Sequence, residues 1–295
     1  MSSNGRGIAA MLSGVAVFAV MDASMKQLAR TYPPFEVACL RGVTAIPIIL
    51  LSVPCFGRWR ELVPRRWGHH LMRAVVAVAT LTLFVYAVYA LPLAEAYAIF
   101  LCAPLLITAL SVPLLKEHVD WHRWLAIGLG LVGVITMLRP SPSHFVTLGA
   151  AAALGSAFCY ALGVILIRKL SHTESTLCIA FSYVTAVTLG TGVIAAPEWV
   201  PLQASHWRWI LTLGLTGGVA QILIIEAFRR GAVSLIAPFE YTALIWGMLL
   251  DWLLWSTAPS ARTLIGGTIV TATGLYVVLR EHVRGRAALT SSVVS

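Results

Sequence analysis

Charged side chains are scarce in this chain of 295 residues, in which Asp, Glu, Lys and Arg together make up 11%. Hydrophobic residues account for 59%, and the mean hydropathy is +0.85. An average soluble domain, by comparison, is about 25% charged. A water-exposed surface cannot be assembled from so few charges. The composition therefore excludes an ordinary soluble domain and indicates a membrane protein.

The chain also lacks the short motifs of ATP-driven pumps and of membrane enzymes. It contains no GxxxxGK[ST] phosphate loop, no HExxH zinc motif and no GxSxG nucleophile motif. The first absence excludes ATP drive within this chain, and the other two leave an intramembrane enzyme as a remote alternative. A passive channel is disfavoured because no ring of like polar residues recurs along one face. We expect neither a cofactor nor an enzymatic activity.

Cysteine and histidine give no sign of a disulfide framework or a metal site. The five cysteines are an odd number and lie mostly within apolar runs, so they are predicted to be packing residues. His118 and His122 lie one helical turn apart but lack a clear third ligand, so no metal site is expected there. The net charge of +9 is spread among short loops, and nucleic acid is therefore not an expected partner.

The sequence does contain apolar runs of about twenty residues, the length that crosses a ~30 Å hydrocarbon layer as a helix. The polar breaks between the runs are short and carry turn residues, as at Pro33-Pro34 and Pro197 to His206. We predict an all-α protein with ten transmembrane helices, at 8–30, 36–55, 70–91, 93–115, 123–139, 146–168, 176–196, 207–228, 233–255 and 262–280. Because the first run leads directly into another span, it is predicted to be a membrane helix rather than a signal peptide.

The distribution of basic residues predicts the orientation of these helices. With the N-terminus inside, the outer face receives only Arg30, Arg139, Arg208 and Arg262, while Lys26 and Arg41 lie within spans. The other basic residues fall on the cytoplasmic side: Arg6, Arg58, Arg60, Arg65, Arg66, Arg73, Lys116, Arg123, Arg168, Lys169, Arg229, Arg230, Arg280, Arg284 and Arg286. This positive-inside bias predicts that both termini are cytoplasmic and that the protein spans the inner (plasma) membrane several times.

The chain is built from one apolar unit used twice. Residues 7–28 and 149–170, at an offset of 142, share small and apolar residues such as Gly7 with Gly149 and Leu28 with Leu170. We predict a first repeat at 1–145, a second at 146–284 and a cytoplasmic tail at 285–295. Since five spans per repeat is an odd number, the second copy enters the membrane from the opposite side. Inverted repeats of this kind are typical of secondary transporters.

Three passages carry a family resemblance: FAVMDASMKQLA at 18–29, ALPLAEAYAIFLCAPLLITALSVPLLKE at 90–117 and RRGAVSLIAPFEYTALIWGMLLDWLLW at 229–255. With them, nearly the whole chain resembles the drug/metabolite transporter superfamily, specifically the EamA-type branch of ten-helix transporters. The resemblance implies a carrier of amino acids, organic acids, nucleosides or vitamins. The chain departs from the family pattern at Asp251, where a small glycine is frequent, and at Thr257, where an acidic residue is usual; the acidic residue of the first copy, Glu117, is retained.

Ionisable residues within the predicted spans are costly to bury and are therefore candidates for function. Asp22 and Lys26 lie four apart on one helix face, which favours a structural ion pair; proton coupling through Asp22 is the functional alternative. Arg41 can clamp a carboxylate of the substrate, pair with Asp22 or cap carbonyls.

Glu240 follows Pro238, which frees a carbonyl in the ninth span, and such opened helices hold polar ligands in transporters. The alternative for Glu240 is a buried pair with Lys26 or Arg41. The resemblance implies that the third, fourth, eighth and ninth helices surround the cavity. The predicted substrate-binding residues are accordingly Tyr86, Tyr97, Gln221, Glu240, Tyr241 and Arg41.

These patterns predict a secondary active transporter that works by alternating access on a small polar solute. An arginine with a glutamate and tyrosines suits a zwitterionic or anionic metabolite, and export of amino acids or related compounds is the favoured interpretation. Organic acids, nucleobase-like solutes and vitamins stay open as substrates. Besides this solute, the lipid bilayer and protons are the expected partners, and both a monomer and a homodimer are compatible with the sequence.

Overall fold

The computed structural model describes residues 3–91, 96, 99–138, 147–256, 261, 264–269, 271–273 and 276. Within these residues the regular structure is entirely helical. The α-helices are α1 Ser3–Leu28, α2 Pro34–Phe56, α3 Trp67–Ala90, α4 Ala103–Leu115, α5 Trp121–Leu138, α6 Leu148–Leu170, α7 Thr176–Ala195, α8 Trp207–Arg230, α9 Val233–Ile236 and α10 Ala243–Trp255. Short 3₁₀ segments lie at Trp59–Leu62, Ala196–Glu198, Ala204–His206 and Ala237–Thr242.

Seven helical segments are long and apolar enough to cross a membrane. They are Ser3–Leu28, Pro34–Cys55, Trp67–Ala87, Leu148–Leu170, Thr176–Glu198, Ala204–Arg230 and Val233–Leu254. Two shorter apolar helices, Ala103–Leu115 and Leu264–Thr273, accompany them. The all-helical membrane architecture is therefore confirmed, whereas the count of ten helices and the cytoplasmic termini stay predictions. The tail at 285–295 lies outside the described residues.

Two of the predicted spans do not form regular α-helices along their whole length. In the fourth, a turn at Leu101 and Cys102 separates the helical residues Ile99 and Phe100 from α4, which has Pro104 in its first turn, where a missing backbone N–H costs nothing. In the ninth, the 3₁₀ segment Ala237–Thr242 separates α9 from α10, and Pro238 lies at its start. The departure from α-helical geometry predicted at Pro238 is present in the structure.

The helices pack in pairs that connect the first and second halves of the chain. The most extensive contacts join α1 to α8, α3 to α6, and α2 to α7. The first three helices of one half correspond to the first three of the other: α1 to α6, α2 to α7 and α3 to α8. When the two halves are exchanged in this way, the α1–α8 pair becomes the α6–α3 pair, and the α2–α7 pair is unchanged. Small residues allow the close approach: a Cβ on Gly14 of α1 would lie 3.1 Å from Ile224 of α8.

Loops also connect the halves, at both ends of α2. At one end, Glu174 Oε1 in the α6–α7 turn accepts hydrogen bonds from the backbone N–H groups of Arg65 (2.7 Å) and Arg66 (2.9 Å), just before α3. We call this contact the Glu174 clasp. At the other end, the Tyr32 hydroxyl accepts from the N–H of Gln203 (2.9 Å), and Glu36 Oε2 accepts from the N–H of Val200 (3.0 Å). We call this pair of contacts the Tyr32–Glu36 clasp.

Candidate functional site

A carboxyl group in the interrupted ninth segment meets a tyrosine of the second half's first helix. The hydroxyl of Tyr160, on α6, donates a hydrogen bond of 2.9 Å to Glu240 Oε1. Both side chains are only partly buried in the protein, and Glu240 makes no ion pair with Lys26 or Arg41 in the described part of the chain. The carboxyl group is therefore held by a neutral donor next to irregular backbone, an arrangement that transporters use for polar ligands.

A buried arginine lies close to this pair. Arg73, on α3, is 2% exposed and donates from Nη1 to the carbonyl of Ile179 over 2.7 Å. Its guanidinium carbon lies 4.4 Å from the ring centre of Tyr183 on α7, and it interacts electrostatically with Tyr160. Arg73 Nε has no hydrogen-bond partner, and no described carboxylate pairs with the guanidinium. A buried cation without a counter-ion is costly and is therefore a strong candidate for anion binding.

Aromatic rings adjoin the same place. The ring centres of Phe100 and Tyr160 are 5.6 Å apart, and those of Phe84 and Phe100 are 5.0 Å apart in an edge-on arrangement. These distances are typical of favourable ring contacts. We refer to Arg73, Tyr160, Tyr183 and Glu240 as the central polar cluster, since Tyr160, which contacts Glu240, interacts electrostatically with both Arg73 and Tyr183.

Asp22 and Arg41 form a second polar group, between α1 and α2. Arg41 acts electrostatically on Asp22, and its guanidinium carbon lies 5.3 Å from the ring centre of Phe18. The Arg41 side chain also packs at Gly217 of α8, where a Cβ would lie 3.4 Å from its Cγ. The electrostatic interaction is compatible with the predicted pair of Arg41 and Asp22, and the alternatives for Arg41 stay predictions. Lys26 lies one turn after Asp22 and is exposed, and their ion pair stays a prediction.

The other predicted binding residues are dispersed. Tyr86, on α3, is 47% exposed, whereas Gln221, on α8, is 5% exposed. Tyr241 is 1% exposed and packs in an apolar cluster with Ile127 of α5. Its hydroxyl lacks a hydrogen-bond partner among the described residues. Tyr97 lies outside the described residues.

Glu117, the acidic residue of the first copy, lies just after α4 and binds the backbone at the start of α9. Its carboxylate accepts hydrogen bonds from the N–H groups of Val233 (2.8 Å) and Ser234 (3.1 Å) and from the Ser234 hydroxyl (2.7 Å). Lys116 adopts a left-handed conformation, with φ of 57°, which ends α4 and turns the chain toward α9. Arg123 completes the contact by donating to the Ser234 hydroxyl over 3.0 Å. A carboxylate at a helix start satisfies free N–H groups and suits the helix dipole.

Sequence reasoning missed Arg73, Tyr160 and Tyr183. Arg73 is counted with the cytoplasmic basic residues because it lies near the start of the third span, yet the helix starts earlier, at Trp67, and buries it. At the repeat offset of 142, Tyr160 corresponds to the apolar Phe18, so the repeat carries no information on a polar partner for Tyr160. A signal was nevertheless present for Arg73, since position 73 falls within the predicted span 70–91 and a charge within a span is costly unless it has a role.

Comparisons with known proteins agree with this architecture. The model of the EamA-like transporter family matches residues 5–139 and 147–280. A riboflavin transporter of Vibrio cholerae is 26% identical over 280 residues, covering 94% of both chains. The pseudopaline exporter CntI of Pseudomonas aeruginosa is 26% identical over 260 residues, covering 86% of this chain and 89% of its own. An S-adenosylmethionine uptake transporter of Rickettsia prowazekii is 23% identical over 275 residues, covering 93% of both.

A solved crystal structure of a protein has the same fold. It superposes on this chain with a TM-score of 0.79 at 19% sequence identity, covering 92% of this chain and 94% of that one.

Proposed function

Because the chain belongs to the EamA-like transporter family, we propose that it is a secondary active transporter whose two inverted five-helix halves alternate in opening a central site. It is a multi-pass inner-membrane protein of a family whose members transport small metabolites. The alternating mechanism rests on the exchange-related helix pairs α1–α8 and α3–α6. Each clasp closes one end, so opening that end requires its hydrogen bonds to break.

The central polar cluster is the proposed binding site, and the observation that carries this assignment is the buried Arg73, for which the described residues supply no counter-ion. A substrate carboxylate would supply the missing negative charge at Arg73, and a substrate ammonium group would find a carboxylate acceptor in Glu240. A zwitterion meets both requirements. We therefore keep amino acids or related compounds as the proposed substrate class, and export as the proposed direction.

Vitamins are the second candidate class, and a specific observation favours them. The ring of Tyr160, which contacts Glu240, continues through Phe100 to Phe84 in a row of aromatic rings that can contact a flat heterocycle. The similarity to a riboflavin transporter supports the same class. The names of the relatives include both uptake and export, so direction is a separate question from substrate.

Protons are the proposed coupling ion, and Glu240 is the proposed carrier. Because its described hydrogen-bond partner is the neutral hydroxyl of Tyr160, Glu240 can gain or lose a proton without breaking an ion pair. Asp22 is the weaker candidate, because its negative charge interacts with the positive charge of Arg41. The assembly is proposed to be a monomer or a homodimer.

The test is transport by purified protein in sealed liposomes. Pools of labelled amino acids, organic acids, nucleosides and vitamins are offered with and without a pH gradient. We expect one pool to accumulate and to follow the gradient. Arg73→Lys, which keeps the charge but loses the planar donor fork, should weaken transport at least tenfold, and Glu240→Gln should abolish its dependence on the gradient.

Arg208→Lys is the matched control, since Arg208 lies in the first turn of α8 and is exposed. Normal transport by Arg73→Lys would overturn the proposed site. Accumulation of organic acids alone would overturn the proposal that the substrate is a zwitterion. Catalytic conversion of a solute by the protein in detergent would overturn the proposal that the protein is a transporter.

A further inference from the structure

Three potential metal ligands from separate parts of the chain meet beside the Glu174 clasp. They are His70 in the first turn of α3, Glu174 in the α6–α7 turn and Cys178 in the first turn of α7. All three residues are buried, and their ligand atoms all lie within 4.8 Å of one another. The group joins the first half of the chain to the second.

One ring nitrogen of His70 points into this group without a hydrogen-bond partner. The other nitrogen, Nδ1, lies 2.7 Å from the Ser182 hydroxyl, which fixes the ring orientation. Nε2 is buried, has no hydrogen-bond partner among the residues that the structure describes, and lies 3.8 Å from Glu174 Oε1. His70 as a whole is only 7% exposed. Buried polar atoms are normally satisfied, so this nitrogen requires an explanation.

The neighbouring contacts resemble the outer shell of a metal site. The backbone N–H groups of Arg65 and Arg66 hold Glu174 Oε1 in place, and the Cys178 thiol lies 3.5 Å from the Leu62 carbonyl. In metal sites, a hydrogen bond to the second ring nitrogen commonly orients a histidine ligand. Arg73 acts electrostatically on His70 and opposes a cation, but an ionised Glu174 and a Cys178 thiolate would together supply two negative charges.

We propose that His70 Nε2, Glu174 and Cys178 Sγ bind a divalent transition-metal ion, with Zn²⁺ the best match. Imidazole nitrogen, thiolate sulfur and carboxylate oxygen are the three donor types that zinc takes, at about 2.0–2.3 Å. In a tetrahedral site with such bonds the donor atoms are about 3.3–3.8 Å apart, so the observed group, whose ligand atoms lie within 4.8 Å of one another, reaches this geometry by side-chain movements of about 1 Å. Binding displaces the thiol proton to solvent, and the fourth position is open to water.

The bound ion would fasten the start of α3 to the α6–α7 turn. It would thereby strengthen the Glu174 clasp and hold that end of the helix bundle closed. This consequence rests on the proposed transport cycle, whereas the binding itself does not. The first experiment therefore measures metal binding in detergent, where transport plays no part.

The full chain, purified without a polyhistidine tag, is incubated with Zn²⁺, desalted and analysed for metal by mass spectrometry. We expect one zinc per chain, reduced at least tenfold in Cys178→Ser and in His70→Gln. Cys39→Ser, which changes a buried cysteine of α2 outside the group, is the matched control and should retain the metal. With Co²⁺ in place of zinc, a thiolate-to-metal absorption band is expected in the wild type and absent in Cys178→Ser.

A measurement on the wild type alone guards against variants that fail to fold. Zinc should slow alkylation of Cys178, identified by peptide mass spectrometry, without changing the alkylation of Cys39. Absence of retained zinc in the wild type, or equal zinc in Cys178→Ser, would overturn the site. Equal alkylation of Cys178 with and without zinc would overturn it as well.

Discussion

Tyr160 donates its hydroxyl proton to Glu240 in a hydrogen bond of 2.9 Å, linking α6 to the 3₁₀ segment that interrupts the ninth span. The carboxyl group would otherwise face irregular backbone with no charged partner among the described residues. This hydrogen bond therefore fixes the position of the acid most central to the proposed transport cycle.

Tyr160→Phe removes that donor and leaves the ring contact with Phe100 in place. A partly buried carboxyl that loses its hydrogen bond costs about 1–3 kcal/mol. We expect KM for the transported solute to rise about tenfold, equivalent to ~1.4 kcal/mol, with normal insertion into liposomes. Tyr276→Phe, at an exposed tyrosine outside the proposed site, is the control and should leave KM unchanged. Unchanged KM in Tyr160→Phe would separate this hydrogen bond from substrate binding.

Glu117→Ala removes the carboxylate that accepts two backbone N–H groups at the start of α9. The free energy of unfolding should fall by about 1–2 kcal/mol, because the N–H groups lose their acceptor and the helix dipole its negative partner. Thermal unfolding in detergent measures the change. Glu198→Ala, at an exposed 3₁₀ segment, should leave the melting temperature unaltered. Equal melting temperatures for both variants would contradict the capping role.

Gly214→Ala places a methyl group where α8 approaches α2 most closely. The new Cβ would overlap Thr44 Cβ and lie 2.6 Å from the backbone carbonyl carbon of Thr44, so the two helices must separate. We expect a loss of about 1–3 kcal/mol in stability, the usual cost of overpacking, read from the melting temperature. Gly128→Ala, where a Cβ meets nothing within 4 Å, should be neutral or stabilising. A lower melting temperature for Gly128→Ala than for Gly214→Ala would contradict the close contact between α8 and α2.

Tyr241→Phe removes a buried hydroxyl that has no hydrogen-bond partner in the described part of the chain. An unpaired polar group destabilises an apolar cluster. Its removal should therefore preserve the free energy of unfolding or increase it by up to about 1–3 kcal/mol. Thermal unfolding in detergent is again the measurement. A clear loss of stability would reveal a partner for this hydroxyl.

The helices themselves can be predicted from hydropathy, because a membrane-spanning helix needs about twenty apolar residues and leaves little freedom in its placement. The seventh span is predicted at 176–196 and observed at Thr176–Ala195. The fourth is less accurate, since hydropathy cannot show the turn at Leu101 and Cys102 that precedes the helix Ala103–Leu115. Pro238, by contrast, correctly indicates the irregular segment around Glu240.

The candidate site is predicted only in part, because a side chain's partner depends on packing between distant segments. Glu240 can be predicted as a site residue because a charged side chain within a membrane span is costly. Nothing in the sequence, however, places Tyr160, which lies eighty residues earlier, beside it. Arg73 lies near the start of a predicted span, close to other basic residues. At such a position the sequence pattern is the same whether the arginine is buried or lies on the cytoplasmic face. His70 and Cys178 are missed for a similar reason, since their separation of more than a hundred residues is no metal-binding motif.

Both clasps join a side chain in one half to main-chain N–H groups in the other. Every residue except proline offers such a donor, so positions 65, 66, 200 and 203 are free to drift in evolution while the contact persists. Correlated substitutions between the halves would therefore be absent at these points of attachment. A proline scan, rather than an alanine scan, is the form of mutagenesis that can detect them.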